Sequence, residues 1–251
     1  MTVLPGSPDT LLVTRSVDRV VVQLHRPEVR NAINQQMVDE LHALCAELEV
    51  QPRTLIITGS DGAFAAGADI AELRERTGID AAAGINTMLF TRIAELPMPV
   101  IAAIDGYALG AGAELAYAAD FRIGTHRAKF GNPETGLGII AAAGALWRLP
   151  QLVGEPLAKE VLLGGRILDA DEAVAAHLMS RVVDPADLMG VVHKIADEIA
   201  TKSVPATIQT KALLRMDRAR HPQADLDAQA VLFDSDDKRA RMTAFLERKK
   251  K

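Results

Sequence analysis

Residues 100–115 read VIAAIDGYALGAGAEL, and the fold is decided by the change from a strand to a helix that this stretch contains. The first five residues, Val100–Ile104, are all apolar, as in a β-strand that is covered on both faces. A turn rich in glycine and alanine follows them, and an apolar run around Leu115 then begins a helix. A buried strand that leads through a small-residue turn into a helix is typical of layered α/β proteins with crossover connections.

The same order of strand, turn and helix extends on both sides of this stretch. The run TLIIT at Thr54–Thr58 predicts a second buried strand, and a loop rich in glycine and alanine follows it. Asn34 can cap a helix whose apolar residues then recur on one face. The other elements predicted here are a hairpin of residues 11–17 and 19–24, a helix over residues 85–96, and short strands at residues 121–123 and near residues 129–130.

The C-terminal third has a helical pattern from about Leu149 onwards. Asp169 and, three residues later, Glu172 predict a capped helix start. Residues 185–200, 204–219 and 224–247 predict three successive helices. We therefore expect a core domain over residues 1–195 and a helical segment over residues 196–251. The apolar faces of that segment need a cover, which either the core domain or another subunit can supply.

The composition excludes several classes of protein. Hydrophobic residues make up 49% of the 251 residues, and 28 basic against 33 acidic residues give a formal net charge of −5, so we expect no nucleic-acid partner. The longest apolar stretch, Ile139–Trp147, is far shorter than the ~20 residues that span a bilayer, and we expect no membrane association. The first ten residues lack the layout of a signal peptide, and the single cysteine, Cys45, which we expect to be inert, excludes a disulfide framework. These features predict a cytoplasmic protein.

Common cofactor and metal motifs are missing. Gly110 and Gly112 follow a strand, but Leu115 occupies the position at which a dinucleotide-binding fingerprint needs a third small residue. The six histidines show no ligand-like spacing. The sequence therefore predicts no metal site and no cofactor.

Two small-residue turns carry the strongest functional signal. They are residues 63–70 (AFAAGADI) and residues 106–115 (GYALGAGAEL). Such turns expose backbone N–H groups at a helix start, where no bulky side chain prevents a ligand from approaching them. Two of them from neighbouring strands can direct two donors at one oxygen, as in an oxyanion hole. Close packing of helix on sheet is the alternative, because glycine and alanine suit it equally.

Glu114 and Glu134 are the acidic residues nearest to these turns. Glu114 lies in an otherwise apolar helix start, where burial of a carboxylate is costly without a purpose. Glu134 follows a proline in a glycine-rich loop. A charge that complements the helix dipole is the alternative for Glu114, and a solvated surface residue is the alternative for Glu134.

These blocks together resemble the crotonase (enoyl-CoA hydratase/isomerase) superfamily. Residues 26–33 (RPEVRNAI) are similar to its first CoA-contacting loop, residues 63–70 to its Ala-Gly-Ala-Asp-Ile loop, and residues 161–176 (VLLGGRILDADEAVAA) to a helix entry of the family. The resemblance runs from about Leu11 to the C-terminus. It implies an α/β fold with a crotonase-like ββα superhelix core, the catalytic part, and a helical C-terminal segment for oligomerisation.

The resemblance also assigns roles to individual residues. It implies that the backbone N–H groups of Ala68 and Ala111 form an oxyanion hole for a CoA thioester. Glu114 and Glu134 match the two catalytic carboxylates of enoyl-CoA hydratases. The CoA moiety would meet Val29 and Arg30, and its adenine end Ala66.

The activity implied is the addition of water to a 2-enoyl-CoA thioester, which gives 3-hydroxyacyl-CoA. Many isomerases of the family keep only one of the two acids, so the presence of both favours hydration. An enoyl-CoA isomerase and a catalytically weak acyl-CoA-binding protein are the alternatives. The resemblance further implies an acyl-CoA substrate and self-association as a trimer or hexamer, and it leaves the acyl chain and the pathway open.

The sequence departs from the family pattern at several positions. Ala111 replaces the usual glycine, and Ala141 and Ala142 stand where typical hydratases have Pro-Gly. Trp147, one turn further on, is either a core residue or part of a wall of the acyl tunnel. The basic cluster of residues 248–251 is either a contact for a CoA phosphate or a solvated tail.

Overall fold

The strands of the described residues form two sheets. The computed structural model describes residues 10–248, so residues 1–9 and most of the basic C-terminal cluster, residues 249–251, lie outside the described part. The strands are β1 (Leu11–Arg15), β2 (Arg19–Leu24), β3 (Thr54–Thr58), β4 (Ala63–Ala65), β5 (Val100–Ile104), β6 (Tyr107–Leu109), β7 (Phe121–Thr125), β8 (Lys129–Gly131) and β9 (Arg181–Val183). One sheet has six strands in the order β1-β2-β3-β5-β7-β9, and the other has three in the order β4-β6-β8.

The helices connect these strands and make up the C-terminal part. They are α1 (Gln35–Val50), α2 (Ile70–Glu75), α3 (Gly78–Ala83), α4 (Ile85–Glu95), α5 (Ala111–Ala118), α6 (Ala145–Val153), α7 (Glu155–Leu162), α8 (Ala170–Ala175), α9 (Leu188–Ala200), α10 (Val204–Leu214), α11 (Gln223–Phe233) and α12 (Asp236–Arg248), with short 3-10 segments at Pro27–Val29, Glu134–Leu137 and Arg218–Arg220. The chain divides into two compact units, the first ending at Ile195 and the second beginning at Ala196.

The six-stranded sheet confirms the predicted hairpin and the predicted buried strands. β1 and β2 pair antiparallel, with Leu11 opposite Leu24, and the remaining neighbours pair parallel. All five residues of β5 and the first four of β3 are buried. Their continuous apolar sequences follow from this, because a central parallel strand is covered by helices on both faces.

The helix predicted after Asn34 is also confirmed. The Asn34 side chain accepts a hydrogen bond from the Met37 N–H at 3.0 Å, as expected of an N-cap. The apolar face of α1 is buried, and Cys45 lies beside it. Burial raises the pKa of the Cys45 thiol to about 12, so the thiol stays protonated near neutral pH.

The three-stranded sheet contains two strands that the sequence pattern did not predict, β4 and β6, whereas its third strand, β8, confirms the short strand predicted near residues 129–130. Each of its strands has three residues, and all pair parallel, with Ala65 opposite Ala108 and Leu109 opposite Gly131. A strand this short contains too little alternation to show a period of two. Both small-residue turns of the sequence therefore begin with a short strand and are not loops throughout.

Three predictions for the C-terminal third are wrong in detail. β9 pairs with β7 in a region that has a helical pattern. The helix predicted over residues 204–219 ends at Leu214. The helix predicted over residues 224–247 is two helices, and the Ser235 hydroxyl accepts from the Lys238 N–H at 3.2 Å where the second begins. The predicted capping box is confirmed at α8, where Asp169 and Glu172 accept from each other's backbone N–H.

None of the described helices has both the length and the hydropathy that crossing a bilayer requires.

Candidate active site

The three-stranded sheet places both small-residue turns at the same cavity. β4 and β6 are parallel neighbours, so the chain leaves both strands at the same edge of the sheet. Ala68 and Ala111 each lie three residues beyond the paired residues Ala65 and Ala108. The cavity measures about 580 Å³, and its walls include Ala66, Ala68, Gly110, Ala111, Glu114 and Glu134.

Helix α5 starts at the cavity with an N–H group that has no acceptor within the helix. Ala111 is its first residue, and the first N–H groups of any helix lack an intrahelical partner. The helix is buried over its full length and packs directly on β4. A Cβ atom at Gly112 would lie 2.1 Å from the Ala65 carbonyl oxygen, so only glycine allows this approach. Close packing of helix on sheet, one of the two alternatives for this turn, is therefore present, and it leaves the Ala111 N–H as a candidate donor.

The N–H of Ala68, a residue of the cavity wall, is turned away from Ile33 by the pairing of its neighbours. The Ile33 N–H donates to the Gly67 carbonyl at 2.8 Å, and the Asp69 N–H donates to the Ile33 carbonyl at 2.9 Å. In a parallel pair the residue between these two has its N–H on the opposite side of the strand. A Cβ atom at Gly110 would lie 3.7 Å from the Cα of Gly67, so the two turns touch. Such an arrangement can present two backbone donors to one ligand oxygen.

The loop of residues 26–33 is tied to the first of these turns. Arg26 donates to the Asp69 carboxylate at 3.0 Å and to the Ala32 carbonyl at 2.7 Å. The fully buried Asn31 side chain donates to the carbonyls of Ser60 and Ala63 and accepts from the Ser60 hydroxyl and the Arg26 N–H. Sequence reasoning missed this role of Asn31, because the residue pairs with partners about 30 positions away.

The residues predicted to contact CoA lie at the outer part of this loop and at the cavity. Val29 and Arg30 are exposed, and they do not line the cavity itself. Ala66 does line it, but its N–H already donates to the Arg30 carbonyl at 3.0 Å. The loop and the cavity wall are thus joined by a backbone hydrogen bond, and Ala66 can offer a ligand its side chain and its carbonyl group.

Glu114 is a buried carboxyl group held by the start of the next helix. It is 3% exposed, and its Oε1 accepts from the N–H of Ala145, the first residue of α6, at 3.1 Å. Burial raises the pKa of Glu114 to about 7, since the charged form loses its hydration; the backbone N–H groups of Ala145 and Ala143 act in the opposite direction, and the negative charge of Glu134 raises it further.

Glu134 faces the same cavity from the 3-10 segment and is 8% exposed, so it is not a solvated surface residue. Burial raises its pKa, while the hydrogen bond from the Asn132 side chain lowers it. Its Oε1 lies 3.4 Å from the Asn132 Nδ2, and its Oε2 is buried without a hydrogen-bond partner among the described residues. Because two nearby carboxylates repel each other, we expect the pair to hold one proton near neutral pH.

Two polar residues behind Glu134 were not predicted. The Tyr117 hydroxyl donates to the Asn132 Oδ1 at 3.1 Å, and both side chains are buried. The Tyr117 ring stacks on Phe130 with centroids 6.5 Å apart. The signal available in the sequence was a tyrosine inside an otherwise apolar helix, one turn after Glu114, because a buried hydroxyl needs a partner.

The stretch that departs from the family pattern still forms a helix start at the cavity. Ala142 and Ala143 line the cavity, and the Ala142 carbonyl accepts from the Thr87 hydroxyl at 3.1 Å. Trp147 is 42% exposed, so its interpretation as a core residue is wrong, and it does not line this cavity. Its ring lies 5.0 Å from the guanidinium carbon of Arg148.

Comparison with known proteins identifies the family and the fold of the chain. A model of the enoyl-CoA hydratase/isomerase family matches residues 16–251. The crotonyl-CoA hydratase of Syntrophomonas wolfei is 37% identical over an alignment that covers 96% of each chain, and the short-chain-enoyl-CoA hydratase of Clostridium acetobutylicum is 36% identical over 92% of each. The solved enoyl-CoA hydratase of Bacillus anthracis superposes with a TM-score of 0.90 at 31% identity, over 96% of this chain and 97% of that one, which confirms the predicted fold class. The chain therefore belongs to the enoyl-CoA hydratase/isomerase family.

Proposed function

We propose that the protein adds water across the 2,3 double bond of an enoyl-CoA thioester and forms 3-hydroxyacyl-CoA. The observation that carries this proposal is the pair of buried carboxyl groups, Glu114 and Glu134, on one cavity with the turns of Ala68 and Ala111. Relatives that are 36–37% identical along almost the whole chain and carry the name of hydratases support it. An isomerase is not favoured, because isomerisation needs no second carboxyl group to hold water.

The thioester carbonyl oxygen is the group that the two backbone donors would bind. Attack of water at C3 moves electron density onto this oxygen and creates an enolate-like charge. N–H groups of Ala68 and Ala111 that are already in place would stabilise that charge without reorganisation. Loss of one such donor can lower the rate by about 10²–10³. Ala111 in place of the usual glycine is compatible with this role, because the donor belongs to the backbone.

The two carboxyl groups would divide the proton transfers between them. In our proposal Glu114 is ionised, orients the water and accepts one of its protons as the oxygen bonds to C3. Glu134 is protonated and gives its proton to C2, which balances the addition. The raised pKa of Glu134 favours its protonated form, and the pKa of Glu114, about 7, leaves a part of that group ionised at neutral pH. Positioned proton transfer of this kind contributes about 10²–10⁴ to a rate.

The CoA portion would bind outside the cavity, along the loop of residues 26–33. We propose that Val29 and Arg30 contact it and that Ala66 meets the adenine end. The exposed Arg30 guanidinium suits a phosphate group, since arginine binds phosphate oxygens in a bidentate manner. The exposed part of the loop is fixed to the cavity wall through Asn31 and Ala66, so a bound CoA would have a defined direction towards the carboxyl groups.

The reaction as proposed needs no metal or other cofactor, because the backbone donors and carboxyl groups supply the required chemistry. Self-association as a trimer or hexamer is part of the proposal. Apolar side chains such as Leu214, Val231 and Leu246 are exposed on helices of the second unit, which supports a role in assembly. A cytoplasmic location is proposed as well, and the buried free thiol of Cys45 agrees with it.

A single assay tests the activity. The protein is mixed with crotonyl-CoA, and the ultraviolet absorbance of the conjugated thioester is followed while the product is identified by mass. Loss of absorbance with formation of 3-hydroxybutyryl-CoA supports hydration. Conjugation gained from a 3-enoyl-CoA without hydration would instead identify an isomerase. Tight binding of crotonyl-CoA with neither reaction would identify an acyl-CoA-binding protein, the alternative suggested by Ala141 and Ala142.

A further inference from the structure

The side chains of Tyr117, Asn132 and Glu134 form a buried chain of contacts that ends at the cavity. Tyr117 is 4% exposed and Asn132 is 1% exposed. The Tyr117 hydroxyl donates to the Asn132 Oδ1 at 3.1 Å, and the Asn132 Nδ2 lies 3.4 Å from the Glu134 Oε1. Tyr117 lies on α5, the helix that carries Glu114, and Asn132 directly follows β8. The two contacts therefore link the part of the proposed site that holds Glu114 to the part that holds Glu134.

We propose that Tyr117 is a positioning residue: its hydroxyl holds the Asn132 side-chain amide with the NH₂ group towards Glu134. The inference rests on the proposed function, because the orientation of the amide matters only if Glu134 transfers a proton to C2.

The direction of the first hydrogen bond follows from the chemistry of the phenol. Burial and then the nearby carboxyl groups of Glu114 and Glu134 raise the pKa of Tyr117, so its hydroxyl stays neutral and is a donor. The Asn132 Oδ1 is the acceptor that the structure provides for it. If the amide were rotated by half a turn, this buried hydroxyl would lose its acceptor and the amide oxygen would face a carboxyl group. Both changes are unfavourable.

The orientation matters because Glu134 becomes negative when it gives its proton to C2. An N–H group directed at Oε1 stabilises that charge, whereas an amide oxygen would repel it. The other groups that face this pair are Glu114 on α5, which repels the charge, and Arg148 on α6, whose charge acts on Glu114. Arg122 of β7 acts on Tyr117. Among these groups Asn132 is the donor that contacts Glu134 directly.

Tyr117→Phe tests the inference, because it keeps the ring that stacks on Phe130 and removes only the hydroxyl. We expect kcat for crotonyl-CoA hydration to fall about tenfold with little change in KM, the effect of weakening one hydrogen bond to a charged group. The pKa of Glu134 should rise, so the alkaline limb of the kcat–pH profile should move to higher pH. The other tyrosine of the chain provides a matched control: Tyr107→Phe, at an exposed position, should leave kcat and the profile unchanged.

A double-mutant comparison shows whether Tyr117 acts through Asn132. Asn132→Ala alone should lower kcat and move the alkaline limb in the same direction, and Tyr117→Phe should then have no further effect. The inference is overturned if Tyr117→Phe has the wild-type profile, or if it lowers kcat as much in the Asn132→Ala background as in the wild-type background. If Tyr117→Phe does not fold, a wild-type profile of Asn132→Ala overturns it as well. Absence of hydration by the wild-type protein would contradict the proposed function itself.

Discussion

The two carboxyl groups of the proposed site are supported by very different parts of the molecule. Glu114 belongs to α5, all of whose residues are buried, and it accepts a backbone N–H at 3.1 Å from α6. Glu134 is the one buried residue of the 3-10 segment 134–137, and its Oε2 has no partner among the described residues. The same functional group is thus held between two helices in one case and by a short exposed segment in the other.

This difference agrees with a division of labour. A carboxylate that holds a water molecule needs a fixed position, and the helix starts of α5 and α6 supply it for Glu114. A carboxyl group that delivers a proton needs an oxygen with no protein partner, so that substrate can approach it. Each carboxyl group has one oxygen in contact with a protein donor, but the second oxygen of Glu134 is buried without a partner among the described residues and meets that need.

The largest expected effect comes from Glu134→Gln, which keeps the size of the side chain and removes its proton. We expect kcat for crotonyl-CoA hydration to fall by about 10²–10⁴. Binding of acyl-CoA, measured by titration calorimetry, should stay close to wild type. The variant should also fail to exchange the C2 hydrogens of butyryl-CoA in D₂O. Wild-type hydration in this variant would remove Glu134 from the mechanism.

Glu114→Gln should separate the two roles. The amide oxygen of glutamine can still accept the Ala145 N–H and orient water, but it cannot take a proton, so we expect a loss of about 10² in kcat. Exchange of the C2 hydrogens in D₂O should persist, because Glu134 is intact. Loss of that exchange in Glu114→Gln, measured by NMR, would contradict the division of labour.

The pH dependence of stability should depend on Glu114. Its pKa is raised from the ordinary value of 4.5 to about 7 by burial, so the folded protein binds this proton more tightly than the unfolded chain does. The stabilisation is complete below about pH 4.5 and is lost as the pH rises through about 7, a total of about 3 kcal/mol. Urea unfolding at pH 5 and pH 8, at one protein concentration, should show this decrease in wild type and in Glu134→Gln. An equal decrease in Glu114→Gln would show that another group causes it.

The smallest expected effect comes from Gly110→Ala, which tests the contact between the start of α5 and Glu134. Gly110 precedes α5 with φ of 51°, and a Cβ atom there would lie 3.1 Å from the Glu134 Oε1. Gly154 also has a positive φ, 80°, but a Cβ atom there would come no closer than 3.9 Å to Pro156. Both alanine variants should lose about 1–3 kcal/mol of stability from backbone strain. Only Gly110→Ala should also lose about tenfold in kcat, and an equal loss in Gly154→Ala would assign the effect to strain alone.

The local sequence pattern was sufficient to predict most of the helices and strands. The strands at residues 54–58 and 100–104 and the helix capped by Asn34 have long enough apolar runs, or clear enough spacing, to be predicted from neighbouring residues alone. Two strands of the small sheet, β4 and β6, do not, because three residues contain too little alternation to show a period of two. The break between α11 and α12 was missed although Ser235 and the acidic residues after it carry an N-cap signal.

The sequence by itself determined the α/β class, the family resemblance and the residue types offered for chemistry: two glutamates and two small-residue turns. The tertiary structure alone decided how these are used. It made the turns neighbours through the pairing of β4 with β6, buried both carboxyl groups, and set Tyr117 and Asn132 behind Glu134. The reason is physical: a pKa and the direction of a hydrogen bond depend on the dielectric and the donors around a group, and residues distant in the sequence supply these.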